Sequence, residues 1–174
     1  MADTARGAAL VTGGSRRIGR VLTQAAADAG FDVAIHVRTI DDDAEAAAAD
    51  VRARGRKASI HACDLRDEGA TAPLVGAAES ELGPVTLLVN CASVFEDDRV
   101  GGLGRDSWDR HIETNLRAPI VLAEEFAARA PDGSSIVNLL DQRVRKPDPR
   151  FFSYSLSRAG LWWATRTLAQ ALAP

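Results

Sequence analysis

The sequence predicts an α/β protein built on a doubly wound parallel sheet with helices on both faces. Three observations predict it. Short apolar runs alternate with longer helical patterns along the 174 residues, as βαβ units require. Runs such as Leu87-Leu88-Val89 are apolar without interruption, as expected of strands covered on both faces. The first strand also leads directly into a glycine-rich turn, Thr12-Gly13-Gly14-Ser15-Arg16-Arg17-Ile18-Gly19, which opens a helix.

Taken in order, the first strand is Ala8–Thr12, and Val21-Leu22 with the alanines behind them give a helix over 18–29. Gly30 ends it, as a glycine just past a helix should. A second strand covers Asp32–Val37. Asp41-Asp42-Asp43 then begins a helix over 41–54, acidic where the dipole favours negative charge, and Gly55 closes it. A third strand spans 57–61 and a helix 68–82. The fourth strand is Val85–Asn90, followed by a helix over 106–129 with Pro119 inside it. The fifth strand spans 135–140, and the last helix 152–172. No internal repeat or linker interrupts the pattern, so residues 1–174 read as a single Rossmann-like domain.

Composition fits one globular domain, at 46% hydrophobic and 26% charged residues. A net charge of -3 gives no electrostatic case for nucleic acid. No apolar run is long enough to cross a membrane, and the first seven residues lack the apolar stretch of a signal peptide, so a cytoplasmic protein is expected. Cys63 and Cys91 sit beside strand ends and are expected as buried thiols rather than a disulfide. Neither has metal-ligand spacing with the three histidines, so no metal site is expected.

Ligands in such sheets bind at the carboxyl ends of the strands. The polar residues gather there: Arg38 and Thr39 after the second strand, Asp64 after the third, Asn90 and Ser93 after the fourth, Asp141 after the fifth. The glycine-rich turn offers a helix N-terminus to a phosphate, although an ordinary strand-to-helix turn would look the same in isolation.

With Tyr154-Ser155-Leu156-Ser157-Arg158 added to the 12–19 turn, Asp64-Leu65, Asn90-Cys91-Ala92-Ser93 and Asn115, the chain resembles a short-chain dehydrogenase/reductase over essentially its whole length. It is most similar to the pteridine reductases, including the dihydromonapterin-type enzymes. Arg17 stands where the broad family has the middle glycine of the turn. Ser93-Val94-Phe95 matches a serine and a pterin-stacking phenylalanine. Asp141 stands where most members carry a catalytic serine, thirteen residues before Tyr154.

The resemblance implies an oxidoreductase that reduces a pterin-like or other carbonyl or imine substrate. Cofactor contacts are expected from Gly13, Ser15, Arg17, Ile18, Gly19, Arg38, Thr39, Asp64, Leu65, Asn90, Ala92 and Ser93. No carboxylate occupies positions 36–39, where an acidic residue would select NAD. Arg38 and Arg17 instead offer donors suited to a phosphate, so NADP(H) is expected. Asp41 is close enough to oppose that expectation, and Arg38 otherwise only solvates a strand end.

Tyr154 is the expected proton donor, with Asp141, Asn115 and Arg158 completing the catalytic set. A nearby cation favours the phenolate, so Arg158, on the same helical face four places on, is expected to lower the tyrosine's pKa. The family carries lysine there. Arginine supplies charge but does not release a proton, which implies weakened or altered catalysis. Pro119 lacks an N–H and leaves the Asn115 carbonyl without its helical partner, free to face a water. Phe95, Ser93 and Asp141 are the expected substrate contacts, with core packing the alternative for Phe95.

Family members continue with a sixth strand, a helical segment over the substrate and a seventh strand, so the chain is expected to lack that C-terminal third and to leave its fifth strand at a sheet edge. Helices 106–129 and 152–172, carrying Trp108, Trp162 and other apolar residues, are the expected interface of a homodimer or homotetramer. The competing expectation is a nucleotide-binding protein without turnover. A general carbonyl or acyl-chain reductase is a third, against which Phe95 and Asp141 count.

Overall fold

The computed structural model describes residues 6–173; Met1–Ala5 and Pro174, used in the sequence reading, lie outside them. Five parallel strands form one sheet in the order β3-β2-β1-β4-β5. They are β1 (Ala8–Thr12), β2 (Asp32–Val37), β3 (Ala58–Ala62), β4 (Val85–Asn90) and β5 (Ser135–Asn138). The helices are α1 (Arg17–Asp28), α2 (Asp42–Ala53), α3 (Glu68–Thr71), α4 (Leu74–Leu82), α5 (Arg105–Ile112), α6 (Ala118–Ala127) and α7 (Phe152–Ala171). A π-helical turn, Glu113–Arg117, joins α5 to α6, and a short 3₁₀ turn, Gln142–Val144, follows β5.

β1 lies at the centre, and alternate residues feed two cores. Ala8 and Leu10 join Leu88, Val75, Leu122 and Phe126 on one face. Ala9 and Val11 join Val33, Ile35, Val51 and Val89 on the other, under α1 and α2. All five residues of β1 are buried, which explains its uninterrupted apolar sequence. β5 alternates exposed and half-buried residues, and Val137 is 44% exposed. The direction of the chain along the sheet reverses between β1 and β4, which opens a crevice at their carboxyl ends.

Most element boundaries fall within two residues of expectation. Gly30 and Gly55 follow the caps of α1 and α2, each with the paired backbone bonds of a Schellman ending. The Asp41 carboxylate accepts from Ala44 N and caps α2. Three expectations need correction. The helix expected over 68–82 is two helices, because Pro73 cannot donate to the preceding turn and instead starts α4. The helix expected over 106–129 is broken by the π-helical turn, whose Asn115 precedes Pro119 by four residues. The fifth strand ends at Asn138 rather than 140, since the chain turns at Asp141 to cap the 3₁₀ turn.

Candidate nucleotide and substrate site

A cavity of about 740 Å³ opens at the carboxyl ends of the strands, across the β1–β4 crevice. One end is the glycine-rich turn. A Cβ on Gly19 would lie 2.0 Å from the Gly13 carbonyl oxygen, so only glycine lets α1 begin this close to the turn. Gly13 has φ +63°, and a Cβ there would press on the Ala92 backbone at 3.0 Å. Arg17 also has positive φ, at 48°. That conformation strains a side-chain-bearing residue and explains why a glycine is usual at this place.

Two residues absent from the sequence-derived set hold this end together. Thr12 Oγ1 accepts from Cys91 N at 2.9 Å and Ala92 N at 3.0 Å, which ties the end of β1 to the segment after β4. His36 is 2% exposed; its Nδ1 accepts from Gly13 N at 3.3 Å and its Nε2 donates to the Cys63 carbonyl at 3.1 Å. Burial pushes its pKa down to about 4, so a neutral ring links the turn to the end of β3. A polar residue at the end of an apolar strand was the available signal for both.

Arginines outnumber carboxylates along the cavity walls, seven to four. Arg17 and Arg38 are exposed and take no carboxylate partner among the described residues. Asp41, the residue that threatened the cofactor expectation, is engaged by Arg16 at 2.8 Å, as Asp43 is at 2.5 Å. Ser15, Ile18, Thr39, Leu65 and Ser93 line the same cavity. Asp64 does too, but its carboxylate is held by Arg66, with 2.6 Å to Nη2. Asn90 is buried beneath the cavity and donates to Asn138 Oδ1 at 2.8 Å, and Asn138 donates onward to Thr165 on α7.

The other end of the cavity gathers Phe95, Asp141, Tyr154 and Arg158. The Tyr154 hydroxyl donates to Asp141 Oδ2 at 3.1 Å. Burial pushes the Asp141 carboxyl up, but the Arg143 N–H, the Tyr154 hydroxyl and the Arg143 guanidinium together hold it below the usual carboxylate range. Arg158 is 4% exposed, lies 5.4 Å from the Tyr154 ring and donates from Nη1 to the Leu139 carbonyl at 3.2 Å. Its charge does pull the phenol down as expected, yet burial outweighs it and the net shift is upward, with Asp141 adding to the rise. The expected pull of Arg158 is present, but burial decides the direction of the net shift.

Asn115 is fully buried. Its side chain accepts from Val94 N and donates to Val94 O, both at 2.8 Å, and donates to Ser157 Oγ at 3.2 Å. It thus anchors the segment carrying Ser93 and Phe95 to the helix carrying Tyr154. Phe95 is 50% exposed, which removes plain core packing as its account. It stacks on Phe151 at 4.4 Å and meets Tyr154 edge-on at 4.7 Å. Phe151 and Arg143, which completes this aromatic group, were not singled out from sequence. No group of histidine, cysteine and carboxylate suited to a metal occurs among the described residues. No helix among them is long and apolar enough to cross a membrane.

The sequence matches the family described as short chain dehydrogenase over residues 7–174. Among curated relatives, a short-chain dehydrogenase/reductase FrzI of Cladobotryum sp is 32% identical over 165 residues, and an acetoacetyl-CoA reductase of Paracoccus denitrificans is 32% identical over 164. These alignments cover 95% and 93% of this chain but 64% and 66% of the relatives, so the chain spans about two thirds of their length. Among solved structures, FolM alternative dihydrofolate reductase 1 from Brucella canis, complexed with NADP, is 46% identical with a TM-score of 0.91. That match covers 98% of this chain and 68% of the other. A blue fluorescent protein from a metagenomic library, in complex with NADPH, is 33% identical with a TM-score of 0.90, covering 97% and 69%.

Proposed function

Because this chain belongs to the short-chain dehydrogenase family, we propose that it is an NADP(H)-dependent oxidoreductase reducing a flat, pterin-like ring, with Tyr154 as proton donor. The observation that carries this reading is the Tyr154–Asp141 hydrogen bond beside the half-exposed Phe95, at the opposite end of one cavity from the glycine-rich turn.

The residues present fit the cofactor. The cradle at Gly13 and Gly19 leaves no room for a Cβ, as close approach of a pyrophosphate requires, and Arg17 and Arg38 are free to pair with a 2′-phosphate. NADP bound in the Brucella canis relative supports the choice. Ser15 and Ile18 would hold the phosphates, Thr39 would assist Arg38, and Asp64 and Leu65, which line the same cavity, would hold the adenine. Ala92 and Ser93, which line the cavity, would contact the cofactor, and buried Asn90 would support the segment that carries them. When bound, NADPH supplies the hydride.

The chain's own groups supply the proton and the order of the site. Tyr154 donates from its hydroxyl to the reduced substrate, and Asp141 holds that hydroxyl in place. Arg158 stabilises negative charge that develops on the phenol oxygen. Asn115 fixes the Ser93–Phe95 segment, so Phe95 presents a ring face to a flat substrate. A second reading, a nucleotide-binding protein without turnover, is favoured by the upward shift of Tyr154 and by Arg158 being committed to the Leu139 carbonyl.

The test is NADPH oxidation with a dihydropterin, compared with simple ketones. Faster turnover of the dihydropterin is expected, and Tyr154→Phe should abolish it while leaving NADPH affinity nearly unchanged, because the hydroxyl acts in the transition state. NADPH binding with no turnover of either substrate establishes the second reading. Preference for the ketone, or full activity in the Phe variant, overturns the first.

A further inference from the structure

Among the described residues an aspartate is followed two residues later by an arginine that pairs with it at Asp64–Arg66, Asp97–Arg99, Asp141–Arg143 and Asp148–Arg150. In two of these the arginine engages the carboxylate through two nitrogens, whereas exposed Arg99 makes one contact to Asp97, at 3.3 Å. Arg66 donates from Nε at 3.1 Å and Nη2 at 2.6 Å to Asp64. Arg150 does the same to Asp148, at 3.1 and 2.7 Å. The guanidinium fork thus lies along the carboxylate.

Arg143 departs from that form. It reaches Asp141 through Nη1 at 3.3 Å, and its buried Nε has no partner among the described residues. The guanidinium lies instead among three rings, 4.6 Å from Phe151, 5.1 Å from Phe95 and 6.0 Å from Tyr154. Its side chain is 18% exposed, against 46% for Arg66 and 60% for Arg150. A buried donor left without a bond is unfavourable, so the position must be held by something else. Its holders are the aromatic group and the Asp141 carboxylate, whose second oxygen is already taken by the Tyr154 hydroxyl.

We propose that Arg143 is the positioning residue of this site: it clamps the Asp141 carboxylate from the Phe95–Phe151 side and, through it, fixes the direction of the Tyr154 O–H. This rests on the reading of Tyr154 as the proton donor. Arg143 itself touches neither the phenol oxygen nor any reacting atom. Its backbone N–H donates to Asp141 Oδ1 at 2.8 Å and survives substitution, so the side chain is the variable part. Other titratable or charged groups near the phenol are Arg158 on α7, His111 on α5 with its ring 6.3 Å away, and Asp98, which binds the backbone N–H of Ser153. None of these three bonds Asp141.

Tyr154 is the sole tyrosine of the chain, so a ¹³Cζ-tyrosine label gives one signal from one residue, with no substrate and no cofactor needed. That signal reports ionisation of Asp141 through the hydrogen bond. Asp141→Asn identifies the response, because any acid inflection owed to Asp141 disappears. In the wild-type chain the inflection is expected below the usual carboxylate range, or not before acid unfolding.

Arg143→Met should move the inflection up by about one pH unit or more. Arg143→Lys, which restores a cation without the planar fork, should bring most of it back. Circular dichroism over the same pH range confines the comparison to folded protein. An inflection at the same pH in Arg143→Met, an inflection that survives Asp141→Asn, or no inflection in any variant within the folded range overturns the proposal. Because the signal does not depend on turnover, its failure is separate from failure of the proposed reaction. An unchanged Tyr154 signal in an active enzyme sinks the clamp alone, whereas a shifted signal with no turnover sinks the reductase reading alone.

Discussion

At the scale of single residues, this chain places charge by burial more than by count. Arg38 sits at an exposed strand end, whereas Arg158, inside α7, is buried. Arg38→Asp should weaken NADPH binding by roughly 2 kcal/mol, the value of a charge-assisted hydrogen bond, and should not weaken NADH binding. Fluorescence titration with both reduced cofactors checks this, and equal loss for both refutes a contact with the 2′-phosphate. His36 gives a second prediction. Its folded pKa of about 4 lies below the ordinary histidine value of 6.5, so between those values the unfolded chain binds more protons than the folded one. Stability should therefore fall as pH drops from about 6.5 to 4, by up to about 3 kcal/mol from this residue. His61, shifted in the same direction by burial, adds to the trend. Urea denaturation across that range should show the decline, and His36→Asn should flatten it.

At the scale of elements, the helix that carries Tyr154 is capped from a distant part of the chain. Phe151 precedes α7 and offers no side-chain cap. Asp98, far back in sequence, accepts from Ser153 N at 3.0 Å and from Ser107 Oγ at 3.1 Å, and its carbonyl accepts from Phe152 N at 3.2 Å. Its carboxyl is pushed up by burial, but these bonds and His111 bring it below the ordinary carboxylate range. Capping normally reads locally, from a polar residue just before a helix, so sequence patterns could not find this one. Asp98→Ala should cost about 1–2 kcal/mol in global stability. Urea denaturation measures it, and a loss within a few tenths of a kcal/mol would show that α7 does not depend on this cap. The break between α5 and α6 has the opposite character: Pro119 announced it in the sequence, while its form, a π-helical turn that buries Asn115, depends on the packing around it.

At the scale of the whole molecule, the outer side of α7 keeps apolar residues in water. Trp163 is 65% exposed and Leu156 is 42% exposed, and seven residues separate them, which puts them on one stripe of the helix. Trp162, beside Trp163, and Trp108 on α5 are half-buried, so packing accounts for part of their role. An exposed apolar stripe of this kind favours association between copies. A homodimer or larger assembly through α5, α6 and α7 is the expected outcome, measured by light scattering at micromolar concentration. Trp163→Asp should shift it towards monomer with little effect on NADPH binding. A monomeric wild-type chain refutes the interface.

The layer order, the parallel sheet and the glycine-rich turn were all legible in the amino-acid sequence. These depend on local periodicity, on glycines that steric contact requires, and on polar residues that end apolar runs. It also brought Tyr154, Asp141, Asn115 and Phe95 into view, because their spacing and order match a known family. Only the tertiary structure decided how those groups are held. Thr12 and His36 join strand ends from separate β–α units, and Asp98 caps a helix more than fifty residues away. Arg143 reaches its neighbouring aspartate only at 3.3 Å, and its guanidinium lies among three rings from distant segments. Periodicity records what one element needs. Burial, and with it the raised Tyr154 and the neutral His36, is a property of all the elements that close over a group.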